Sequence, residues 1–185
     1  MTNLFLQEFF FRSALSEINI SPEGIGIDHF KGRCFHPNFG DLPLIFPLNM
    51  VNQIDDLIVQ KTQEFFFAGI LTPKRDWISK YPNVFQSNYG RLPEKKYSFH
   101  QEYYVNMKAA KFGLSPVGDC PWSYRFFESV MCNAIPIIGD LEEDIFAKNF
   151  IHYRDSENKI FSMENCYHNK KYFLQNHTLQ GILRI

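Results

Sequence analysis

A group of residues between positions 118 and 125 has the types and spacing of an anion-binding site. Gly118 lies in a loop rich in proline, and Ser123 precedes a stretch with the apolar spacing of a helix. Ser123 can cap that helix through its hydroxyl, which leaves further N–H groups and the positive end of the helix dipole facing outward. Arg125 adds a planar guanidinium that fits two phosphate oxygens, and Gly118 lets the backbone approach a ligand because it has no Cβ. These residues predict a phosphate or diphosphate site.

The predicted helix separates a packing face from a polar face. Phe127 and Val130 fall on one side at helical spacing, whereas Arg125 and Glu128, three residues apart, fall on the other. On that polar face the Glu128 carboxylate would be free to accept the two hydroxyls of a ribose. The alternative is a solvated Arg125–Glu128 ion pair, which the i, i+3 spacing alone favours.

The sequence pattern predicts that alternating strands and helices position these residues. A compact apolar run at 64–70 predicts a strand buried on both faces, and Pro73 marks the start of a helix after it. The pattern then predicts, in order, a helix at 98–110, a short apolar strand at 111–114, a loop at 115–121, a helix at 123–133 and a strand at 134–140. Such a βαβ unit implies a parallel sheet, and ligands bind beyond the carboxyl ends of its strands. The segment from Ser115 to Glu128 would lie at that edge.

The N-terminal part of the chain has weaker patterns. Residues 1–20 predict one amphipathic helix. Residues 24–49 predict loops, with short strands near 24–27 and 44–46, because four glycines and three prolines interrupt the apolar pieces. We interpret residues 1–60 as a short, reduced N-terminal appendage.

The rest of the chain, residues 61–185, is expected to form one Rossmann-like α/β domain with a parallel sheet flanked by helices. Residues 167–185 predict the helix that closes it. Three histidines in this C-terminal region are interpreted as surface or capping residues: His152, His168 and His177.

Composition restricts the class of protein. A hydrophobic fraction of 45% in 185 residues is ample for a packed core. The formal net charge of −1 gives no long-range attraction for nucleic acid or for an anionic membrane surface. No stretch approaches the roughly 20 apolar residues of a membrane span, so no integral membrane segment is expected. The chain is predicted to be cytoplasmic, with attachment to a membrane periphery left open, and its four cysteines are expected to be reduced.

Several segments resemble exostosin-type glycosyltransferases. In that family a loop with the pattern F-x-L-x-P-x-G is followed by S-x-R-x-x-E and then by a strand with a small residue and I/V-P-V-I. The corresponding segments here are Phe112–Gly118, Ser123–Glu128 and Ile135–Ile138. Upstream, Phe66–Gly69 and Arg75 resemble the family's opening strand and its downstream arginine.

This resemblance extends over residues 62 to 155, about half the chain, and implies a GT-B architecture. The matching part would be the C-terminal, donor-binding domain, in the usual case for a UDP-sugar. By the resemblance, Arg125 neutralises the diphosphate leaving group and Glu128 holds the ribose. Ser123 and Gly118 would line the phosphate loop, with Arg75 reaching the same phosphates. The family transfers sugars to glycan acceptors with inversion and without an essential metal, so neither a metal nor a cofactor is expected.

The chain departs from the family pattern in two ways. Asn133-Ala134 stands where a glycine usually precedes the strand, and only about 60 residues precede the matching region. A reduced acceptor domain, a fragment and a degenerate copy are all open, and a homo-oligomer or a partner chain could complete the acceptor cleft. The titratable candidates for a catalytic base in the short N-terminal region are Asp28, His29, His36 and Asp41.

Other classes remain as alternatives. The chain could be a non-catalytic nucleotide- or sugar-binding module, or a degenerate partner subunit. A fucosyltransferase-like enzyme using GDP-fucose would share the Glu-bearing helix. Asp140 and Glu142 at the end of the last predicted strand could hold a metal ion as in GT-A enzymes, or residues 140–144 could simply open a helix. Cys34-x-His36 and Cys166-x-His168 could supply metal ligands, although they lack the usual zinc spacing.

Overall fold

Strands and helices alternate along most of the chain in the computed structural model, which describes residues 2–82, 84–86 and 99–185. In chain order the elements are α1 (Thr2–Glu17), β1 (Gly26–Asp28), β2 (Arg33–His36), β3 (Gly40–Pro43), α2 (Leu48–Asp55), β4 (Gln63–Gly69), a 3₁₀ helix (Pro73–Lys80), β5 (Val84–Gln86), α3 (Gln101–Ala109), β6 (Ala110–Leu114), α4 (Tyr124–Met131), β7 (Ile135–Ile138), β8 (Tyr153–Arg154), α5 (Met163–His177) and α6 (Leu179–Leu183). The elements predicted around the anion-binding segment are therefore confirmed, with a 3₁₀ helix in place of a regular helix after Pro73. Residue 98, where the helix before β6 was predicted to begin, lies outside the described residues.

The central sheet is entirely parallel. Strands β4, β6, β7 and β8 follow one another, and the short β5 pairs with the other edge of β4. The chain thus moves from β4 in one direction to β5 and then returns across β4 to β6. The strand order reverses between β4 and β6, and a crevice opens at such a switch point at the carboxyl ends of the strands. This is a mixed α/β fold with a parallel sheet flanked by helices, compatible with the predicted Rossmann-like class.

The two faces of the sheet pack against different elements, because successive side chains of a strand point to opposite faces. On one face Phe66 and Ile138 belong to a cluster with residues of α1 to α5. On the other face Phe67 and Phe112 pack with Ile78 of the 3₁₀ helix. An apolar run that fills both faces explains why β4 could be predicted from its composition alone.

Residues 26–43 form a three-stranded antiparallel meander in the order β1-β2-β3. Three of the four glycines that predicted loops lie at or beside its turns: Gly24, Gly32 and Gly40 have φ of 73°, 60° and 71°, a region that favours glycine. The strand predicted near 44–46 is wrong. These residues lie outside the meander, and the N–H of Phe46 donates instead to the carbonyl of His177 at 2.8 Å.

The N-terminal helices are part of the same core as the sheet. Phe10 of α1 and Ile54 of α2 lie in one hydrophobic cluster with Phe66 of β4 and Phe127 of α4. Apolar packing is therefore continuous across residue 60. The division of the chain into residues 1–60 and 61–185 stays a prediction.

The structure also bears on the expected lack of a membrane segment and on the expected state of the cysteines. Within the described part of the chain, no helix is long and apolar enough to cross a membrane. The four cysteines are all buried, and none of them forms a disulfide.

His177 at the end of α5 is buried and its ring bonds to Leu44 outside the helix, so its predicted role as a surface or capping residue is wrong. The residue is 8% exposed, and its ring stacks on Phe173 at 5.6 Å between centroids. Its Nδ1 lies 2.8 Å from the carbonyl oxygen of Leu44. Because a carbonyl can only accept, Nδ1 carries the proton. Burial lowers the pKa of His177 to about 4.

We expect the free energy of unfolding to fall by up to about 3 kcal/mol as the pH drops from 6.5 to 4. In the unfolded chain a histidine titrates near 6.5, whereas folded His177 titrates at about 4. The unfolded state therefore binds the proton first, and acid favours unfolding within this window. Urea denaturation at a series of pH values measures the slope. His177→Gln should lose this part of the slope, whereas the exposed His168→Gln on the same helix should keep it. Equal slopes in both variants would contradict the assignment.

Candidate functional site

The site predicted from the sequence lies at the carboxyl ends of β4 and β6, where the strand order reverses. β4 ends at Gly69 and is followed by the 3₁₀ helix, while β6 ends at Leu114 and continues into the loop that leads to α4. Ser123 is the N-cap of α4, and its hydroxyl accepts the N–H of Arg125 at 3.2 Å. The predicted cap is confirmed, and it fixes the first turn of α4 at this edge of the sheet.

The side chain of Arg125 crosses the end of β4. Its Nε donates to the carbonyl of Ala68 at 3.0 Å, and its Cζ lies 5.0 Å from the centroid of the Phe67 ring. A Cβ on Gly69 would come within 2.9 Å of Cζ and closer still to Nη2. Glycine at the end of β4 therefore leaves room for the guanidinium. Its φ of 157° is also a backbone conformation that favours glycine.

Arg75 lies on the same edge and joins the loops that follow β4 and β6. Its Nη1 donates to the carbonyl of Ile70 at 2.8 Å, and its Nε donates to that of Val117 at 3.1 Å. A Cβ on Gly118 would lie 3.1 Å from Nη2 of Arg75, so the structure brings these two predicted residues together. Burial lowers the pKa of Arg75, and the charges of Asp119 and Glu142 oppose that shift. The guanidinium is partly withdrawn from water. Its charge therefore acts on a bound anion more strongly than it would in full contact with water.

Glu128 is not on an open helix face, and this expectation is wrong. The residue is 1% exposed. Its Oε2 accepts the hydroxyl of Tyr103 at 2.8 Å, and its Oε1 accepts that of Tyr104 at 3.3 Å. Helix α3 packs on this side of α4 and buries the carboxylate under its two tyrosines. The solvated ion pair with Arg125 also required an exposed Glu128, so that alternative is wrong for the same reason.

Glu142, suggested by the sequence as a metal ligand or as part of a helix start, is a structural part of this edge. Its Oε2 accepts the backbone N–H of Val117 at 3.2 Å, and its Oε1 accepts the indole N–H of Trp77 at 3.3 Å. Burial raises the pKa of the carboxyl group, and these hydrogen bonds oppose the shift. Glu142 therefore connects the 3₁₀ helix, the loop before α4 and the loop after β7.

The two acids of the metal hypothesis contact different segments. Asp140 is bonded to the backbone N–H of Ser156 at 2.9 Å, away from the partners of Glu142. Among the residues that the structure describes, no three His, Cys, Asp or Glu side chains are grouped to hold a metal ion, and this includes the two C-x-H pairs.

The four candidates for a catalytic base lie on or beside the meander. The contacts of two of them, His36 and His29, show how they lie relative to the site. His36 is 2% exposed, with Nε2 bonded to the carbonyl of Ser21 and Nδ1 accepting the N–H of Asn38, so neither nitrogen faces a substrate. His29 contacts the loop before α4, since the indole of Trp122 donates to its carbonyl at 3.0 Å.

Comparisons with known proteins do not assign the chain to a family. None of the known family models matches the chain, and no curated protein matches it significantly. The chemistry of the site is therefore inferred from its residues and from the sequence resemblance described above.

Proposed function

We propose that this chain is a glycosyltransferase, or the donor-binding part of one, of the GT-B type. It would transfer a sugar from a nucleotide-sugar, in the first instance a UDP-sugar, to a glycan acceptor. The observation that supports this most is that Arg75 and Arg125 both lie at the switch point of a parallel sheet. The exostosin-like order of the segments around them supplies the reaction class.

Two arginines at one sheet edge favour the binding of an anion that carries more than one negative charge. Arg125 lies against the end of β4, and Arg75 lies across the loop that follows it. The N-terminus of α4 adds backbone N–H groups and the positive end of a helix dipole. A diphosphate has two phosphoryl groups and presents oxygens to both guanidinium planes, with charge-assisted hydrogen bonds that a neutral ligand could not form.

In this proposal Arg125 is the catalytic residue. As the bond between the sugar and the diphosphate breaks, negative charge collects on the departing phosphate. The contacts of Arg125 with Ala68 and Phe67 orient the guanidinium before the reaction, so little reorganisation is required in the transition state. This arrangement would serve a reaction without a metal ion. A second copy of the chain or a partner chain would complete the acceptor cleft.

The roles of the other residues follow from their contacts. Ser123 and Gly118 position the backbone of the phosphate loop, and Glu142 holds that loop through the N–H of Val117. Ribose binding by Glu128 stays a prediction. Each of its oxygens accepts a tyrosine hydroxyl, and the ribose hydroxyls would have to reach a carboxylate that is 1% exposed.

Calorimetric titration with UDP and with GDP, each with and without Mg²⁺ or Mn²⁺, tests the proposal. We expect one of the two nucleotides to bind at a single site without metal, and the corresponding monophosphate to bind at least about tenfold more weakly, because it lacks one phosphoryl group. GDP selectivity would favour the fucosyltransferase-like alternative. A requirement for metal would contradict the GT-B assignment, and no binding of either nucleotide would contradict donor binding.

A further inference from the structure

A groove of about 680 Å³ lies on the side of α4 that faces away from Arg125. Phe127 lines it, and two helix positions separate Phe127 from Arg125, so their side chains leave α4 on opposite sides. The meander forms one wall, and α5 with the loop after β7 forms the other. The volume falls within the roughly 300–1,000 Å³ of small-ligand sites.

One of the residues that line this groove offers a hydrogen-bond acceptor. His177 lines the groove, and its Nδ1 proton is already donated to the carbonyl of Leu44. The low pKa keeps the ring neutral, so Nε2 is unprotonated and can only accept. Within the described part of the chain Nε2 has no hydrogen-bond partner, and a ligand hydroxyl would supply one.

The rim of the groove combines balanced charge with exposed apolar surface. Two carboxylates, Asp41 and Glu143, stand among the lining residues with two cations, Lys31 and Arg33. The charges cancel, which favours a neutral ligand over an ion. The apolar members of the rim are Phe30 and Ile145, whose exposed fractions are 63% and 72%.

We propose that this groove binds a sugar unit of a neutral glycan, at a site separate from the sheet edge. A sugar ring carries hydroxyl donors that match the imidazole and carboxylate acceptors, and its C–H face packs against phenylalanine and isoleucine side chains. Pockets that hold such ligands are mainly apolar with a few polar groups that fix orientation. The groove is complete without any residue of the proposed diphosphate site, so glycan binding there does not depend on the donor.

The two tryptophans of the chain separate the two sites spectroscopically. Trp122 lines the groove, whereas Trp77 contacts Glu142 at the sheet edge. In Trp77→Phe the fluorescence therefore reports on the groove. We expect a saturable change with one of four neutral probes, namely cellotetraose, xylotetraose, maltotetraose or chitotetraose, and the same affinity by calorimetry on the unchanged chain.

Surface variants test whether the groove is the binding site. Phe30→Ala and Glu143→Gln should each weaken binding of that oligosaccharide by about tenfold. Phe35→Ala is the matched control, because Phe35 is 42% exposed on the neighbouring strand and does not line the groove. Thermal unfolding of each variant checks the fold.

Three outcomes would overturn the inference. None of the four oligosaccharides binds at millimolar concentration, or Phe35→Ala weakens binding as much as Phe30→Ala does. The third is a dimer in light scattering that Phe30→Ala dissociates, since the groove would then be covered by a second copy of the chain. Failure of nucleotide binding would not bear on any of these results.

Discussion

Replacing Arg125 with alanine should weaken binding of the preferred nucleoside diphosphate by about 100-fold or more. A hydrogen bond to a charged group contributes about 1.5–3 kcal/mol, and 100-fold corresponds to about 2.7 kcal/mol. The fold should remain, because Arg125 lies on the side of α4 opposite its packing face and the bond to Ala68 and the contact with the Phe67 ring are made at the end of a strand. Calorimetry gives the affinity, and thermal unfolding gives the stability.

A second variant moves the guanidinium without removing its charge. In Gly69→Ala the new Cβ would lie within 2.9 Å of Cζ of Arg125, and a flexible side chain can give way there. We expect a loss of affinity in the same direction as in Arg125→Ala. The control is Arg12→Ala, which removes the same charge from an exposed pair with Glu8 on α1. Unchanged affinity in both site variants, or an equal loss in the control, would contradict a diphosphate site at the switch point.

Replacing Gly113 with alanine should destabilise the chain by about 3 kcal/mol. Gly113 is the next-to-last residue of β6, and an added Cβ would lie 2.7 Å from Cβ of Ser129 on α4 and closer still to its Oγ. Ser129 is fully buried, and its Oγ donates to the carbonyl of Arg125 at 2.7 Å. The methyl group therefore forces the helix away from the strand. Urea denaturation measures the change.

Gly26→Ala is the control for that experiment, because a Cβ there would meet its nearest neighbour at an ordinary 3.5 Å. Its effect should stay within about 0.5 kcal/mol. The double variant Gly113→Ala with Ser129→Gly should recover part of the lost stability. If Gly113→Ala unfolds at the same urea concentration as the unchanged chain, α4 can move away from β6 at no cost.

Elements that depend on interactions between residues close in sequence could be predicted. β4 could be predicted because an apolar run that short and continuous fits a strand buried on both faces, and α4 because Ser123 is a good cap before a helical stripe. The strand predicted near 24–27 corresponds to β1, whereas β2 and β3 were missed because they have only four residues each and depend on turn geometry. Glu128 was placed wrongly because its burial depends on tyrosines 24 and 25 residues away.

The contacts of Glu142 lie further still along the chain. Its two partners are 25 and 65 residues away, and nothing in the sequence around it distinguishes a loop connector from a metal ligand. Long-range hydrogen bonds of this kind arise only when the strands assemble, which brings their carboxyl ends to one edge.

The close approach of β6 and α4 at Gly113 also has a thermodynamic consequence. The proposed diphosphate and glycan sites lie on opposite sides of α4, and cooperativity transmitted through the helix would require it to adopt two positions. A helix that touches the strand backbone over a missing Cβ has no second position to occupy. The helix should therefore transmit no change in affinity from one ligand to the other.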